Sequence, residues 1–233
     1  MGEHQNSRCE NCIIRQINSF KALKKEELKQ MSDHKETRKV KKGDILFKEG
    51  ERLTGVYCVR NGISKLSKLS DNGKDQIVKL AGKGEILGQR SLISSEQTNL
   101  SATALEDMDV CYIPKHHIQE SLMQNPVFTN AVLKHMATEL KTADHSIVNM
   151  VQKNVRQRLA EGLLYLDDNF GTDEEGFLYL QLSRSNLADI VGTATESLIR
   201  TLTKLKKEGT VSISGKRIKL ENKKLLLAIR EGI

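Results

Sequence analysis

The residues with the clearest chemistry are Glu196 and Arg200, which lie four positions apart on a predicted helix. Four residues make about one helical turn, so both side chains can reach one groove of a DNA duplex. An arginine can donate two hydrogen bonds to guanine O6 and N7, and a carboxylate can accept one from cytosine N4. The alternative is purely local, because a glutamate and an arginine at this spacing stabilise any helix by roughly 0.2–0.5 kcal/mol.

The residues around this pair predict the elements that would position it. Gly192 ends a first short helix, and Gly209 follows the second. Thr193 and Glu196 form a predicted capping box for the second helix. An apolar stripe on its other side predicts a buried face, and this stripe consists of Leu198, Leu202 and Leu205. Two helices that meet at a glycine, the second with a basic polar face, predict a helix-turn-helix.

A predicted β-hairpin follows the second helix. The stretch from Val211 to Leu220 alternates apolar and polar residues around Ser214 and Gly215. Lys216 and Arg217 lie at or beside its tip, where a "wing" would contact phosphates, and the alternative is an ordinary solvated tip.

Positive charge is concentrated in the same region. The chain carries a formal net charge of +7, and residues 182–224 contain ten lysines and arginines against four acidic residues. This distribution favours a polyanionic partner. The residues predicted to contact DNA are Ser183, Arg184, Thr193, Thr195, Glu196, Ile199, Arg200, Lys204, Lys216 and Arg217.

The preceding part of the chain is rich in predicted strands. A short helix is predicted over Lys24–Asp33, and strands over Val56–Val59, Gln76–Leu80 and Val110–Ile113. Asp71, Asn72 and Gly73 predict a tight turn. Frequent strands separated by glycine turns favour an antiparallel sandwich or roll.

A long helix is predicted between the strand-rich part and the helix-turn-helix. Asn125 and Pro126 form a good helix start, and no glycine or proline interrupts the sequence to about Lys153. Apolar residues at steps of four and three predict a coiled-coil seam of Met136, Leu140, Ala143, Ile147 and Met150. The alternative is a helix packed on its own domain. A symmetric dimer would set two DNA half-sites about 34 Å apart.

At this point the sequence resembles the Crp–Fnr family of bacterial transcription regulators. The family pattern Glu-x-x-x-Arg is matched by Glu196 and Arg200 within Leu182–Leu220. Thr195, before that glutamate, matches neither the aliphatic residue of the oxygen-sensing branch nor the arginine of the cyclic-AMP-binding branch. The strand-rich part resembles the family's cyclic-nucleotide-binding roll in three segments, Lys42–Gly50, Tyr57–Gly62 and Gly84–Gln89.

The resemblance implies an α+β protein with three parts. These are an N-terminal segment and antiparallel, jelly-roll-like β-roll effector domain over residues 1–125, a dimerisation helix over 126–153, and a winged helix-turn-helix over 154–233. It implies a homodimeric, sequence-specific transcription regulator whose partners are double-stranded DNA with paired half-sites and RNA polymerase.

The effector pocket departs from the cyclic-nucleotide-binding pattern. Gln89 stands where nucleotide-binding members place a glutamate for the ribose hydroxyls, and residues 97–100 lack the cation that pairs the cyclic phosphate. A buried phosphate without a positive partner is costly, so we expect an effector other than cyclic AMP. A binding module for a cyclic nucleotide or another small molecule is the alternative. The candidate pocket residues are Gly88, Gln89, Arg90, Ser91, Thr98 and Asn99.

Four cysteines are the remaining candidates for chemistry. Cys9 and Cys12 have a spacing that can ligate zinc or an iron–sulfur cluster. The resemblance matches Cys9, Cys12 and Cys111 to cluster ligands of oxygen-sensing members, which makes a redox, oxygen or nitric-oxide sensor an alternative function. Asn18 stands near the missing fourth ligand, and Cys58 lies in a strand that supplies none in those relatives. Plain buried core residues or a reversible thiol pair are the other interpretations.

Several classes of protein are disfavoured. No apolar run approaches the roughly 18 residues of a spanning helix, and the N-terminus lacks a signal-peptide core, so we expect a cytoplasmic protein. No nucleophile–base pair or Walker-type loop is present, so we do not expect an enzyme.

Overall fold

Two four-stranded sheets form the N-terminal roll in this computed structural model, which describes residues 8–70, 73 and 75–233. The first sheet has the order β1-β8-β3-β6 with antiparallel pairs, and the second has the order β2-β7-β4-β5. The strands are β1 (Glu36–Val40), β2 (Ile45–Phe47), β3 (Gly55–Asn61), β4 (Ser64–Leu69), β5 (Asp75–Ala81), β6 (Ile86–Leu87), β7 (Ser101–Ala104) and β8 (Met108–Pro114). The predicted strands lie within β3, β5 and β8. The predicted turn at Asp71 and Asn72 lies outside the described residues.

The central strands of the first sheet, β3 and β8, bury side chains on both faces, and successive side chains point to opposite faces. Val59 and Val110 pack into one core cluster inside the roll. Cys58 and Cys111 point to a second hydrophobic cluster, the outer cluster, which the N-terminal residues and helices cover. The two outward cysteines are therefore core residues beneath the N-terminal segment.

Three short 3₁₀ turns, Cys9–Asn11, Ile13–Ile17 and Ser19–Ala22, precede the helices of this part. The helices are α1 (Lys25–His34), α2 (Gln89–Ser94), α3 (Lys115–Gln124) and α4 (Pro126–Gln152). Asn125 caps α4 as predicted, since its Oδ1 accepts hydrogen bonds from the backbone N–H groups of Val127 and Phe128 at 3.1 Å each. Phe128 then packs into the outer cluster.

The C-terminal part is a winged helix-turn-helix, which confirms the predicted fold class. Its elements are α5 (Val155–Phe170), α6 (Arg184–Val191), α7 (Thr195–Lys207), β9 (Val211–Ser214), β10 (Arg217–Leu220) and α8 (Lys223–Glu231). The predicted leucine stripe of α7 is buried, with Leu198 and Leu205 fully inaccessible. The chain divides into two compact units. The first consists of the residues up to Lys68 together with Val78–Leu140, and the second consists of Leu69–Ile77 together with Lys141–Ile233.

The predicted capping box at Thr193 is wrong. Helix α7 begins one residue later, its N-cap is Ala194, and no side chain caps it. The backbone N–H of Thr193 instead donates to the Ala188 carbonyl oxygen, which closes the end of α6. Thr193 therefore belongs to the end of α6. Glu196 is the second residue of α7, whereas a capping box needs its glutamate at the third position.

No helix among the described residues combines the length and the apolar character that a membrane crossing requires.

Candidate nucleic-acid interface and signal sites

The exposed face of α7 carries the predicted base-reading residues. Glu196, Arg200 and Lys204 are exposed on the side opposite the buried leucines, and Ile199 at their flank is 46% exposed. Arg200 Nη2 donates to Ser197 Oγ at 3.5 Å, and within the described residues no ion pair joins Arg200 to Glu196. The carboxylate and the guanidinium therefore face solvent separately, and their geometry suits contact with an external partner.

The turn before α7 is fixed by backbone chemistry. Ser183 caps α6, since its Oγ accepts from the Asn186 N–H at 3.0 Å. Gly192 ends α6 in the left-handed region with φ of 68°, and a Cβ there would lie 2.8 Å from Met150 Sδ. Both the backbone conformation and the crowding favour glycine at this position.

The wing is tied to the start of α6 by Arg184. Strands β9 and β10 pair antiparallel, with Ser214 opposite Arg217, so Gly215 and Lys216 form the tip. Arg184 Nη2 donates to the Gly215 carbonyl oxygen at 2.7 Å. Burial lowers the pKa of Arg184. Arg184 thus positions the tip, and Lys216 is exposed there.

Arg217 has a different environment from Lys216. Its Nη2 lies 2.7 Å from Asp173 Oδ2 and 3.0 Å from Glu175 Oε1. Its guanidinium carbon lies 4.0 Å from the ring centroid of Phe177. The hydrogen bond from Arg217 holds the pKa of Asp173 below its usual range. This arginine anchors the base of the wing, and its charge is already balanced.

The predicted seam of α4 is an exposed apolar stripe. Leu140 is 65% exposed and Ile147 is 64% exposed, and Ala143 and Met150 are exposed too. Met136 is half-buried against the outer cluster. Sequence reasoning missed Leu133, which is 61% exposed and lies seven residues before Leu140. The same seven-residue spacing could have found it.

All six predicted effector residues line one cavity of about 50 Å³. Sequence reasoning missed three charged residues that line it with them, Lys79, Glu85 and Glu139. Lys79 Nζ lies 2.6 Å from Glu85 and 2.5 Å from Glu139, and Arg90 Nη2 lies 3.1 Å from Glu139. Among the described residues, one group of three potential metal-ligand atoms lies close together, and it comes from Glu85, His135 and Glu139. The Lys79 ammonium already pairs with both carboxylates of this group.

In this cavity the attraction between opposite charges outweighs the effect of burial on the pKa values of Glu139 and Lys79. Burial alone would raise the pKa of Glu139, but the hydrogen bond and charge of Lys79, with the charge of Arg90, outweigh it and lower that pKa. Burial would likewise lower the pKa of Lys79, and the two carboxylates raise it instead. Both cations of the cavity are therefore already paired with carboxylates.

A second cavity, of about 20 Å³, is lined by all four cysteines. Cys58 and Cys111 are register partners in β3 and β8. Cys9 and Cys12 are half-buried and pack against the same core cluster. Burial raises the pKa values of the Cys9 and Cys58 thiols. The structure brings the three predicted ligands together and adds Cys58, which sequence reasoning had set aside.

Comparison with known proteins identifies the family. The family model of the cyclic nucleotide-binding domain matches residues 37–125, and that of the Crp-like helix-turn-helix domain matches residues 157–229. The anaerobic regulatory protein of Bacillus subtilis (strain 168) is 32% identical over 186 residues, which cover 78% of this chain and 78% of that protein. The chain belongs to the Crp–Fnr family.

Further relatives support the Crp–Fnr assignment. The fumarate and nitrate reduction regulatory protein of Salmonella typhimurium is 28% identical over 226 residues, which cover 95% of this chain and 89% of that protein. The fold is shared with FixK2 from Bradyrhizobium japonicum, with a TM-score of 0.75, 24% identity and coverage of 84% and 96% of the two chains. It is also shared with a CRP/FNR-family regulator from Thermus thermophilus, with a TM-score of 0.72, 23% identity and coverage of 84% and 98%.

This Crp–Fnr protein is a DNA-binding transcription regulator. The matched helix-turn-helix region contains Glu196, Arg200 and the whole wing. The matched cyclic nucleotide-binding region contains Cys58 and Cys111 but neither Cys9 nor Cys12. The N-terminal cysteines therefore lie outside both matched regions.

Proposed function

We propose that this Crp–Fnr regulator binds paired DNA half-sites as a homodimer. The exposed stripe of α4 supports this proposal, because a lone helix leaves Leu133, Leu140 and Ile147 in water. Leucine and isoleucine at heptad spacing suit a two-stranded coiled coil with a twofold axis. Two recognition helices placed by that axis would meet half-sites about 34 Å apart.

The observation that carries sequence-specific binding is the free polar face of α7. Glu196 and Arg200 face solvent without pairing to each other, as base reading requires. Lys204 extends the face, and Lys216 at the wing tip would contact a phosphate. The remaining predicted contacts flank this surface, at Ser183, Arg184, Thr193, Thr195, Ile199 and Arg217.

We assign the three predicted parts of the chain separate roles. Residues 1–125 receive the signal, residues 126–153 dimerise, and residues 154–233 bind DNA and present the regulator to RNA polymerase. The role is binding without catalysis, in the cytoplasm. The helix break between Gln152 and Val155 supports a division near Asn154.

Cyclic AMP is not the proposed signal. Gln89 lines the cavity where a ribose-binding glutamate would be expected, and Arg90 is paired with Glu139. A cavity of about 50 Å³ is much smaller than the roughly 300–1,000 Å³ of ordinary ligand sites. A small-molecule module at this cavity is therefore less well supported than a signal elsewhere.

The cysteine cavity is the proposed site of the signal, through an iron–sulfur cluster. Cys9, Cys12 and Cys111 line it together, and thiolates are the usual cluster ligands. Two of the relatives are named for anaerobic regulation and for fumarate and nitrate reduction. A bound cluster would supply redox or oxygen sensitivity, and the chain's cysteines would hold it beside the core that α4 shares.

The decisive experiment selects DNA from a random library with the full chain, and repeats it with two variants. Arg200→Ala should weaken specific binding by about 1–3 kcal/mol and relax one base position in each half-site. Lys206→Ala is the matched control, because it removes a cation from the last turn of the same helix. It should leave the selected sequence unchanged.

The selected sites also test the dimer. We expect a palindrome whose half-site centres lie about one helical turn apart. An unchanged sequence preference in Arg200→Ala would exclude base reading by this residue, and single half-sites would exclude the symmetric arrangement.

A further inference from the structure

Four thiols from three separate segments converge on one cavity. Cys58 and Cys111 face each other across the antiparallel pair of β3 and β8, an arrangement that places Cβ atoms about 4.5–5.5 Å apart. Cys9 and Cys12 enclose the first 3₁₀ turn, in which the Cys12 N–H donates to the Cys9 carbonyl oxygen at 3.2 Å. All four line the same cavity. The strands and the turn thus supply two cysteines each.

The residues around these thiols form a cationic setting. Arg15, Lys35 and Arg60 line the cavity, and no carboxylate is among its described lining residues. Arg15 Nε is buried and has no hydrogen-bond partner among the described residues. A buried unpaired donor is costly, so this atom favours an acceptor in the cavity. Thiolate-ligated clusters are anionic, so the Arg15 guanidinium, which lines the cavity, would stabilise one.

Asn18 connects the N-terminal segment to Cys58. Its Nδ2 donates to Cys58 Sγ at 3.6 Å and to the Gly84 carbonyl oxygen at 3.1 Å, and its Oδ1 accepts from the Phe20 N–H at 2.9 Å. These three bonds fix the amide. At the place where a fourth cysteine was expected, the chain therefore carries a hydrogen-bond donor to a different cysteine.

We propose that Cys58 supplies the fourth thiolate of an iron–sulfur cluster held with Cys9, Cys12 and Cys111. This inference rests on the proposed cluster-sensing function and completes its ligand set. Ferrous and ferric iron and sulfide come from solution, so the cluster assembles without an oxidant, and each thiol releases its proton to solvent as its sulfur–iron bond forms. Asn18 is then a positioning residue that donates a hydrogen bond to a ligand sulfur.

The spacing of the sulfurs favours a cluster over a single zinc ion. A tetrahedral zinc with Zn–S bonds of about 2.3 Å needs sulfurs about 3.8 Å apart. No three cysteine sulfurs among the described residues lie within 4.8 Å of one another. The four thiols are therefore too widely spaced to share one tetrahedral zinc ion.

The N-terminal turn would place a bound cluster beside the hydrophobic core. Cys9 and Cys12 lie on the short turn that covers the cavity. This turn packs against the core cluster that contains Phe128 and Val132 of α4. Loading would thereby change the packing next to the dimerisation helix.

The test uses the full chain, reconstituted without oxygen from ferrous and ferric iron and sulfide and then desalted. Iron, acid-labile sulfide and zinc per chain are measured, together with visible absorbance. Cys58→Ala should retain roughly tenfold less iron and sulfide than the wild type. Cys58→Val is a second variant that fills the buried site without a ligand atom. Val59→Ala is the matched control, because it removes buried volume on the other face of the same strand.

The outcomes separate the ligand from the sensing function. Loss of iron and sulfide in a Cys58→Val chain with wild-type circular dichroism, beside retention in Val59→Ala, supports Cys58 as a ligand. Wild-type loading of folded Cys58→Val overturns this inference alone. A wild-type chain that takes up no iron, or that holds zinc instead, overturns the cluster function as well. DNA selection is unaffected by either result, because it tests a different part of the proposal.

Discussion

Arg158 Nε donates a hydrogen bond to the Val191 carbonyl oxygen at 2.8 Å. Its Nη2 also reaches the Gly192 carbonyl oxygen at 3.2 Å, and its Nη1 donates to the Lys153 carbonyl oxygen at the break between α4 and α5. The last carbonyl groups of a helix lack partners within that helix, so α6 depends on this arginine. One side chain thus joins the end of the long helix to the turn that orients α7.

Arg158→Ala should lower the free energy of unfolding by about 1–3 kcal/mol, because it leaves partly buried carbonyl oxygens without this donor. It should also weaken DNA binding, since the turn before α7 loses its support. Chemical denaturation and a binding titration measure the two effects. Arg156→Ala is the control, because its partly exposed pair with Glu208 should contribute less than about 1 kcal/mol. Equal losses in the two variants would show that Arg158 has no special role.

Lys216 and Arg217 should differ in their effect on DNA binding. Lys216→Ala removes an exposed tip cation, so the slope of log affinity against log salt should fall by about 1. Arg217→Ala should leave that slope nearly unchanged, because Asp173 and Glu175 already balance its charge. Titrations at four salt concentrations measure the slopes. A larger change of slope for Arg217→Ala would mean that the wing rearranges on DNA.

Ile147→Asp should separate the proposed dimer. A carboxylate in an apolar seam costs about 2 kcal/mol or more, and a twofold axis repeats the cost in each chain. Val148→Asp is the matched control, because Val148 is exposed on the same helix one position off the seam. Sedimentation velocity distinguishes the monomer from the dimer. If both variants remain dimeric, the seam lies elsewhere; if the wild type is monomeric, the coiled coil is excluded.

The sequence carried most of the local information in this fold. The leucine stripe of α7, the Asn125 cap and the strand at Val110 were all readable from spacing within a few residues. The sequence could not show that Cys58 faces Cys111, because that depends on the register of two strands that are distant in the chain. Residues that are close in space but far apart in sequence leave no periodic signal.

Distance along the chain also explains two further differences. Lys79 and Glu139 are 60 positions apart, so their ion pair in the candidate effector cavity had no local pattern. Arg217 was placed at or beside the wing tip by the hairpin alone, and its partner Asp173 lies 44 positions away. The capping box failed for a different reason, because the Thr193 N–H closes the end of α6 and α7 begins only at Thr195.

Glu139→Gln should destabilise the roll in a pH-dependent way. The folded-state pKa of Glu139 is lowered, so its ionised form stabilises the folded chain above the unfolded value of about 4.3. This contribution is lost as pH falls through the lower folded-state pKa. At pH 7 the loss should be about 1–3 kcal/mol, because the partly buried carboxylate accepts hydrogen bonds from Lys79 and Arg90.

Denaturant midpoints between pH 3 and pH 8 test this prediction, with the facing residues Glu85 and His135 left unchanged. The difference between wild type and variant should shrink toward the acid end. Glu49→Gln is the control, because its pair with Lys68 is more exposed and should contribute less than about 1 kcal/mol. A difference that stays constant with pH would show that the loss comes from packing and not from charge.

If the proposed iron–sulfur cluster is bound, Asn18→Ser should retain it and lower its midpoint potential. Serine keeps an acceptor for the Phe20 N–H, but its short side chain cannot replace the amide that donates to Cys58 Sγ at 3.6 Å. Hydrogen bonds to ligand sulfurs favour the more negative, reduced state, so their loss favours the oxidised one. A redox titration followed by visible absorbance measures the shift. Asn11→Ser, on the exposed part of the same segment, is the control and should leave the potential unchanged. An unshifted potential in Asn18→Ser would mean that the Asn18 amide does not interact with a ligand sulfur. Cys58 would then not be a ligand of the cluster.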